Sequence, residues 1–421
     1  MPTGGGYAFR TGGPGSDVEL GPGPQLDAFG RLRTSQPFEL FSKACEFDDQ
    51  PLFYQNVLSG GAGASYSSFT TSTTMTVPLG GTGNAIRQSR WYIRYRPGKS
   101  QQIFITGNFD GSQPGVVKRM GLFDDNTQPG STGDGIFFEV DETGIFAVLR
   151  SSATGVSVDT RYPQSSWNVD KLNGSGPSGV TLDLTKQQVV VIDFGWLGSA
   201  VVRWGFDVGG QIVIAHQIAP ANVLGLPFMS QPSLPLRWQV TSTGGAGSMQ
   251  ATCGSVQSEG GFNTLGVQRS ISRAGAGLTL SATTLRPLLS VRLKDAYRRA
   301  LLTPLSFSTL AQGSSPENYE SVLLINATLT GATFAAGAAS EITNYDTAAT
   351  AVSGGILVDS AYYGGGGGYV KSTSSASQPI SSDVLISSNY AGVQDVLTLA
   401  VRPLGTSSTT FFGSLIWSEL Y

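Results

Sequence analysis

The 421-residue chain is poor in charge, with Asp, Glu, Lys and Arg together at 13%, about half of the ~25% usual for soluble domains. It has one histidine, His216, so neither a Ser-His-Asp nor a Cys-His relay can be assembled without it, and a multi-histidine metal site is excluded. His216 shares a strand face with Ile212, Ile214 and Ile218, which reads as a core histidine. The two cysteines, Cys45 and Cys253, fit neither a disulfide framework nor a zinc spacing and read as buried free thiols. No run of 18 or more apolar residues exists, so no membrane span is expected. The start Met1-Pro2-Thr3-Gly4 lacks a basic n-region and an apolar h-region. Synthesis in a cytoplasm is therefore expected, and the sequons at Asn173 and Asn326 read as chance matches. A net charge of −3 argues against a nucleic-acid partner.

Glycine is abundant at 56 residues, and 40% of the chain is apolar, enough for sizeable cores. Glycine turns, hydroxyl-bearing runs and scarce Lys and Glu describe an all-β protein. The fold expected is a large antiparallel β-sandwich or jelly roll, then a smaller C-terminal β-sandwich, with an extended N-terminal arm. The boundaries read as a Gly/Pro-rich docking arm over 1–36, the large sandwich over 37–284, a connector over 285–304 and the small sandwich over 305–421. Beyond Pro316 the cations thin to Lys371 and Arg402. Residues 296–302 fit a helical turn or a strand equally.

Within the large sandwich, Ser65 to Pro78 reads as one long strand run. Arg90 to Arg96 alternates, with Trp91, Ile93 and Tyr95 opposite Arg90, Tyr92, Arg94 and Arg96. Asp141-Glu142-Thr143-Gly144 and Gly209-Gly210 are hairpin signals, and Val189 to Ile192 reads as a strand buried on both faces. In the small sandwich, Gly364 to Gly368 and Ser372 to Ser377 read as a loop.

Carboxylates that could act in pairs, as in glycoside hydrolysis, are Asp48, Asp49, Asp124, Asp125, Glu139, Asp170 and Asp193, but nothing in their spacing brings two onto one face. Asp124-Asp125-Asn126 with Asp134 resembles a loose oxygen-ligand loop for calcium, without the Glu and Gly of an EF-hand. No cofactor and no catalytic residue is assigned. Arg87, Arg90, Arg94, Arg96 and Lys99 form the largest cluster of one sign, readable as an exposed sheet face or a partner contact. Trp167, Trp196, Trp204 and Trp238 read as core, with sugar-stacking platforms as the alternative.

The stretch Ala28-Phe29-Gly30-Arg31-Leu32-Arg33-Thr34-Ser35-Gln36-Pro37-Phe38-Glu39-Leu40-Phe41, and Trp167-Asn168-Val169-Asp170-Lys171-Leu172-Asn173-Gly174-Ser175-Gly176-Pro177-Ser178-Gly179 followed by Trp196-Leu197-Gly198, resemble a poorly characterised group of tailed-bacteriophage virion structural proteins. The resemblance covers roughly residues 28 to 300. It implies a non-enzymatic particle component, a capsid decoration protein, head fibre or tail appendage, localised to the virion. The partners expected are copies of the chain itself, as trimers or larger, and capsid or tail subunits. Partner-binding residues are assigned to Phe29, Arg31, Leu32, Arg33, Phe38, Arg90, Arg94 and Arg96. The alternative is a receptor- or glycan-binding appendage using Tyr362, Tyr363 and Tyr369 around the Gly364 loop, and a more distant one is a carbohydrate-cleaving enzyme.

Overall fold

The computed structural model describes residues 7–10 and 17–20 as backbone, and 26–260, 266–273, 275–313, 317–337, 341–364 and 385–420 with side chains. The chain divides into two compact units, Met1–Asn263 and Thr264–Tyr421. Both are built of antiparallel strands, in keeping with the all-β expectation.

The first unit opens on β1 (Tyr7–Arg10) and β2 (Asp17–Leu20), then β3 (Phe38–Ala44), β4 (Tyr54–Ser59), β5 (Gly63–Ser67) and β6 (Ser72–Val77). Next come β7 (Asn84–Ser89), β8 (Gln101–Asn108), β9 (Val116–Phe123), β10 (Gly135–Asp141), β11 (Gly144–Ser151) and β12 (Val158–Pro163). The unit ends with β13 (Gln187–Phe194), β14 (Val202–Val208), β15 (Gln211–Ile218), β16 (Leu236–Ser242) and β17 (Gly247–Ser258). One sheet runs β12-β11-β10-β9-β16-β7-β4, and the other runs β15-β14-β13-β8-β17-β6-β5 with β3 also on β17.

The two sheets stack face to face as a β-sandwich, the arrangement that hides one face of each from water. Phe138 of β10 meets Phe206 of β14 with ring centroids 4.6 Å apart, and Trp238 of β16 donates its indole N–H to the Thr106 carbonyl of β8 at 3.1 Å. Gly107 lets these layers close, because a Cβ there would run into the Gln250 carbonyl and lie 2.9 Å from Met120 Cε. Gly209 and Gly210 both have positive φ, 63° and 78°, as the tight β14–β15 hairpin requires.

The second unit holds β18 (Val267–Ser272), β19 (Leu278–Leu280), β20 (Arg286–Leu293), β21 (Leu301–Gln312), β22 (Tyr319–Ile325) and β23 (Thr328–Thr330). It continues with β24 (Ala335–Ala336), β25 (Thr343–Asp346), β26 (Ala351–Ser353), β27 (Ile356–Tyr363), β28 (Val396–Pro403) and β29 (Thr409–Leu420). One sheet centres on β29, flanked by β18 and β19 on one side and β21 on the other, and the second runs β24-β25-β20-β28-β22-β27. Leu288, Leu399, Phe411 and Trp417 fill the core between them.

Several expectations are corrected. The stretch 285–304 is no connector: β20 is an interior strand whose Leu288, Leu289, Val291 and Leu293 are buried, and the second unit already starts at Thr264. Residues 295–302 turn out to be both options in sequence, a 3-10 turn over Asp295–Tyr297 and then the start of β21.

Ser65 to Pro78 is a hairpin, β5 and β6, rather than one strand. Arg90 to Arg96 is not a strand. The Ser89 hydroxyl accepts the Leu236 N–H at 3.1 Å and donates to the Trp91 carbonyl at 2.8 Å, so the ladder with β16 stops there and only an isolated Ile93–Leu234 bridge follows. Trp91, Tyr92, Ile93 and Tyr95 are all buried, irrespective of parity. The arm also differs from a chain extended along a neighbour. β1 and β2 pair with each other, and residues 26–36 belong to the first unit.

Candidate functional site

The sequence-assigned partner residues of the arm are engaged within the chain. Asp27 organises a tight loop, accepting the Phe29 and Arg31 N–H groups on Oδ1 at 2.9 and 2.8 Å, while Leu26 bridges Leu32 and Gly30 takes φ 75°. Arg31 pairs with Asp27 at 2.6 Å and donates to the Gly98 carbonyl at 3.0 Å. The Phe29 ring covers Gly195, where a Cβ would come within 2.6 Å of it. Arg33 lies between two acids, with Nη2 at 2.7 Å from Asp193 Oδ1 and Nε at 2.6 Å from Glu259 Oε1. Burial works against this charge, and Asp193 with Glu259 outweighs it, holding the guanidinium above its ordinary pKa. Arg203 closes the node, reaching Asp193 Oδ2 at 3.2 Å and the Leu26 carbonyl at 2.9 Å. Residues 26–33 are therefore a latch that fastens the N-terminal segment to the first sandwich.

Of the remaining assigned residues, Leu32 is exposed, Phe38 begins β3 opposite Ser258, and Arg90, Arg94 and Arg96 are half-buried. Arg87, grouped with them by sequence, lies inside the sandwich between Asp49 at 2.8 Å and the Tyr54 ring at 4.5 Å.

The catalytic candidates resolve into structural roles. Asp124 is fully buried, and desolvation pushes its carboxyl up to about 6. Its oxygens are occupied, Oδ1 by the Gly133 and Asp134 N–H groups at 3.0 and 2.9 Å and Oδ2 by the Tyr92 hydroxyl at 3.0 Å. Asp134 accepts from the Ser152, Ser230 and Gln231 N–H groups, so the loop read as a calcium cradle is a carboxylate-pinned turn. Asp170 accepts the Leu172 and Ser178 N–H groups in the same manner.

Among the described residues no cluster of His, Cys, Asp or Glu is placed to hold a metal ion. His216 is buried between Tyr162 and Trp204, at 4.5 and 5.8 Å, as a core residue, but neither ring nitrogen has a hydrogen-bond partner. Burial lowers its pKa to about 4. Trp167, Trp204 and Trp238 are core, and the half-buried Trp196 donates to the Met229 carbonyl at 3.0 Å. Cys45 is buried and Cys253 half-buried, both free. Tyr362 is exposed on β27, whereas Tyr363 stacks on Tyr319 at 5.1 Å; Tyr369 and 365–368 lie outside the described residues.

The residues that sequence reasoning kept apart meet on the outer face of the β12-to-β4 sheet. Strand alternation turns Met120, Phe138 and Trp238 into the sandwich, so Arg119, Phe123, Phe137, Glu139, Asp141, Arg150, Asp159, Arg161 and Arg237 point the other way. Glu139 is held by Arg119 and Arg161, each at 2.7 Å, and Arg161 also reaches Asp141. Arg150 grips Asp159 bidentately at 2.7 and 2.8 Å, and Arg237 meets Asp125 at 2.7 Å.

The guanidiniums also lie over rings: Arg161 over Phe146 at 3.7 Å, Arg237 over Phe123 at 5.0 Å and Arg150 over Phe137 at 5.2 Å. Burial alone would raise Asp125, Asp141 and Asp159. Arg237 for the first, Thr143 with Arg161 for the second and Arg150 for the third hold all three below the usual carboxylate range. Such a surface is charge-balanced, and those three carboxylates are held in their ionised form by their partners. The signal that could have found it was present in β9 to β12. Their charged residues fall at matching parity in a meander whose turns fix the register.

No protein-family model and no curated protein matches this chain. Among solved structures, the chain is similar to a legume lectin-like domain from Entamoeba histolytica, at 11% identity and TM-score 0.31 over 54% of this chain and 100% of that one. It is also similar to a glycoside hydrolase family protein from Mycobacterium thermorestibile, at 12% identity and TM-score 0.33 over 52% and 99%. A third is the cellulose induced protein Cip1, at 13% identity and TM-score 0.28 over 51% and 96%. Likenesses this distant carry no argument about function.

Proposed function

We propose that this chain is a non-enzymatic structural protein of a tailed-phage particle, docking onto capsid or tail subunits through its N-terminal hairpin. The observation that carries the reading is the β1–β2 pair. Among the described residues these strands hydrogen-bond only with each other, and a lone two-stranded hairpin is marginal in water. It precedes the latch at Leu26 to Arg33, whose ion pairs give it a fixed root on the first unit. A hairpin on a rooted tether gains its stability by adding to another protein's surface, as strand-addition interfaces do. The sequence that resembles virion proteins starts within this root, at Ala28.

Two truncations test this. Removing residues 1–25 is expected to leave the melting of the first unit unchanged and to abolish incorporation into particles. Removing residues 1–36 also deletes Arg33 and is expected to lower the stability of that unit. Normal incorporation of the shorter truncation refutes the docking role.

A further inference from the structure

The second unit carries an open groove on the outer face of its β29 sheet. Phe307, Phe411 and Leu415 turn into the core, so strand alternation sends Ser308 and Leu310 of β21 and Phe412 and Ser414 of β29 outward. Ser272 of β18, Ser414 and Ser308 stand in one row across three strands, the last two sharing a hydroxyl hydrogen bond at 2.7 Å. Leu310 lies opposite Phe412 in the next row. With Gln312 these side chains line a depression of about 430 Å³, within the range of small-molecule sites. All six can be reached: Ser272, Leu310 and Gln312 are exposed, and Ser308, Phe412 and Ser414 are half-buried. Solvent-facing strands usually carry charge, but β21 has no ionisable residue and β29 has only Glu419, which is buried. Arg273, next to Ser272, spends its guanidinium on the Ala276 and Leu288 carbonyls at 2.9 and 3.1 Å.

We propose that this groove binds an uncharged saccharide, with the Phe412 ring against one face of a sugar and the serine row and the Gln312 carboxamide on its hydroxyls. None of the lining side chains is charged, so the groove draws in neither polyanions nor polycations. Serine hydroxyls and a carboxamide both donate and accept, matching sugar hydroxyls that do the same. The apolar part is small, Leu310 and the half-buried Phe412. It suits the C–H face of one sugar ring and falls short of the roughly 800 Å² that each side of a stable protein interface buries. β29 is paired along both edges, by β18 and β19 on one side and β21 on the other, which leaves no backbone there for a peptide strand. Binding here requires neither the β1–β2 hairpin nor a particle.

The test uses the full chain on an array of neutral linear hexaoses of glucan, mannan and galactan, beside sulfated glycans and a peptide panel. At least one neutral hexaose is expected to be retained, and Phe412→Ala is expected to weaken that retention roughly tenfold, the size of one good contact. The Phe412 ring also covers Gly277, where a Cβ would lie 3.0 Å from it. Gln312→Ala, at an exposed position, is therefore the second variant, expected to weaken retention while melting with the parent. Tyr362→Ala, on β27, is expected to leave retention unaltered, which separates the groove from the tyrosines of that strand. Three results overturn the proposal: no neutral hexaose retained, retention confined to sulfated glycans or peptides, or neutral retention unaltered in both groove variants.

Discussion

Replacing Asp124 by Asn should stabilise the first unit at neutral pH and erase a defined part of its pH dependence. The Asp124 carboxyl titrates at about 6 against 3.8 when solvated, chiefly because burial disfavours its charge. Two units correspond to about 3 kcal/mol of differential stabilisation. The folded pKa is raised, so the contribution is fully present below 3.8 and is lost as pH rises through about 6. At pH 7 the native protein therefore holds an ionised carboxylate in a desolvated site. Asn keeps the Oδ1 that accepts the Gly133 and Asp134 N–H groups, and its new amide can donate to the Tyr92 oxygen. Tyr92 in turn keeps Gln128 Oε1 as an acceptor at 3.4 Å. His216 acts in the opposite sense over an overlapping window, so the absolute stability of the parent protein is not diagnostic. The informative quantity is the difference between variant and parent in denaturant unfolding of the first unit at pH 4, 5, 6 and 7. It should grow by roughly 2–3 kcal/mol from pH 4 to pH 7 in favour of Asn. A flat difference, or a variant destabilised at pH 7, would falsify the burial argument.

His216→Phe is expected to match or exceed the parent in stability at pH 7, because it removes two unpartnered buried nitrogens and keeps the ring contacts with Tyr162 and Trp204. Its folded pKa is depressed to about 4, so its neutral-form stability is present above 6.5 and lost as pH falls through 4. The Phe variant should thus gain on the parent by about 3 kcal/mol between pH 7 and pH 4, read by thermal melts across that range. Arg33→Ala should cost about 2 kcal/mol, below the 3–5 of a fully broken buried pair, since Asp193 retains Arg203 and Ser100. Urea unfolding checks this, and a change under 0.5 kcal/mol would show the latch to be ornamental. Gly107→Ala should cost at least about 1–3 kcal/mol through overpacking against Gln250, Met120 and Trp238, and equal stability would mean the sheets can part there without loss.

Local signals with a single geometric solution were legible. Gly209-Gly210 specified its turn by needing positive φ twice, and Val189 to Ile192 specified a strand interior to a sheet because it has no polar face to offer water. Signals that depend on what lies opposite were not. Arg90 to Arg96 has the alternation of a strand, but the Ser89 hydroxyl takes the ladder position that β16 would have used. The segment over 285–304 was expected to be a connector, and no local period reveals that β28 and β25 flank β20 within a sheet. The charged sheet face was hidden for a different reason. Arg237 and Asp125 are distant in sequence, and no period in either neighbourhood encodes their meeting.

The latch changes what the N-terminal arginines can be expected to do. Arg31 and Arg33 are among the residues expected from sequence to bind a partner. In the fold each has a carboxylate or carbonyl of its own first unit within hydrogen-bonding distance. Arg33, mostly buried and held by two carboxylates, has little left to give a partner, since exchanging one buried ion pair for another returns almost nothing. On the docking proposal, recognition is then expected from β1 and β2 rather than from these arginines.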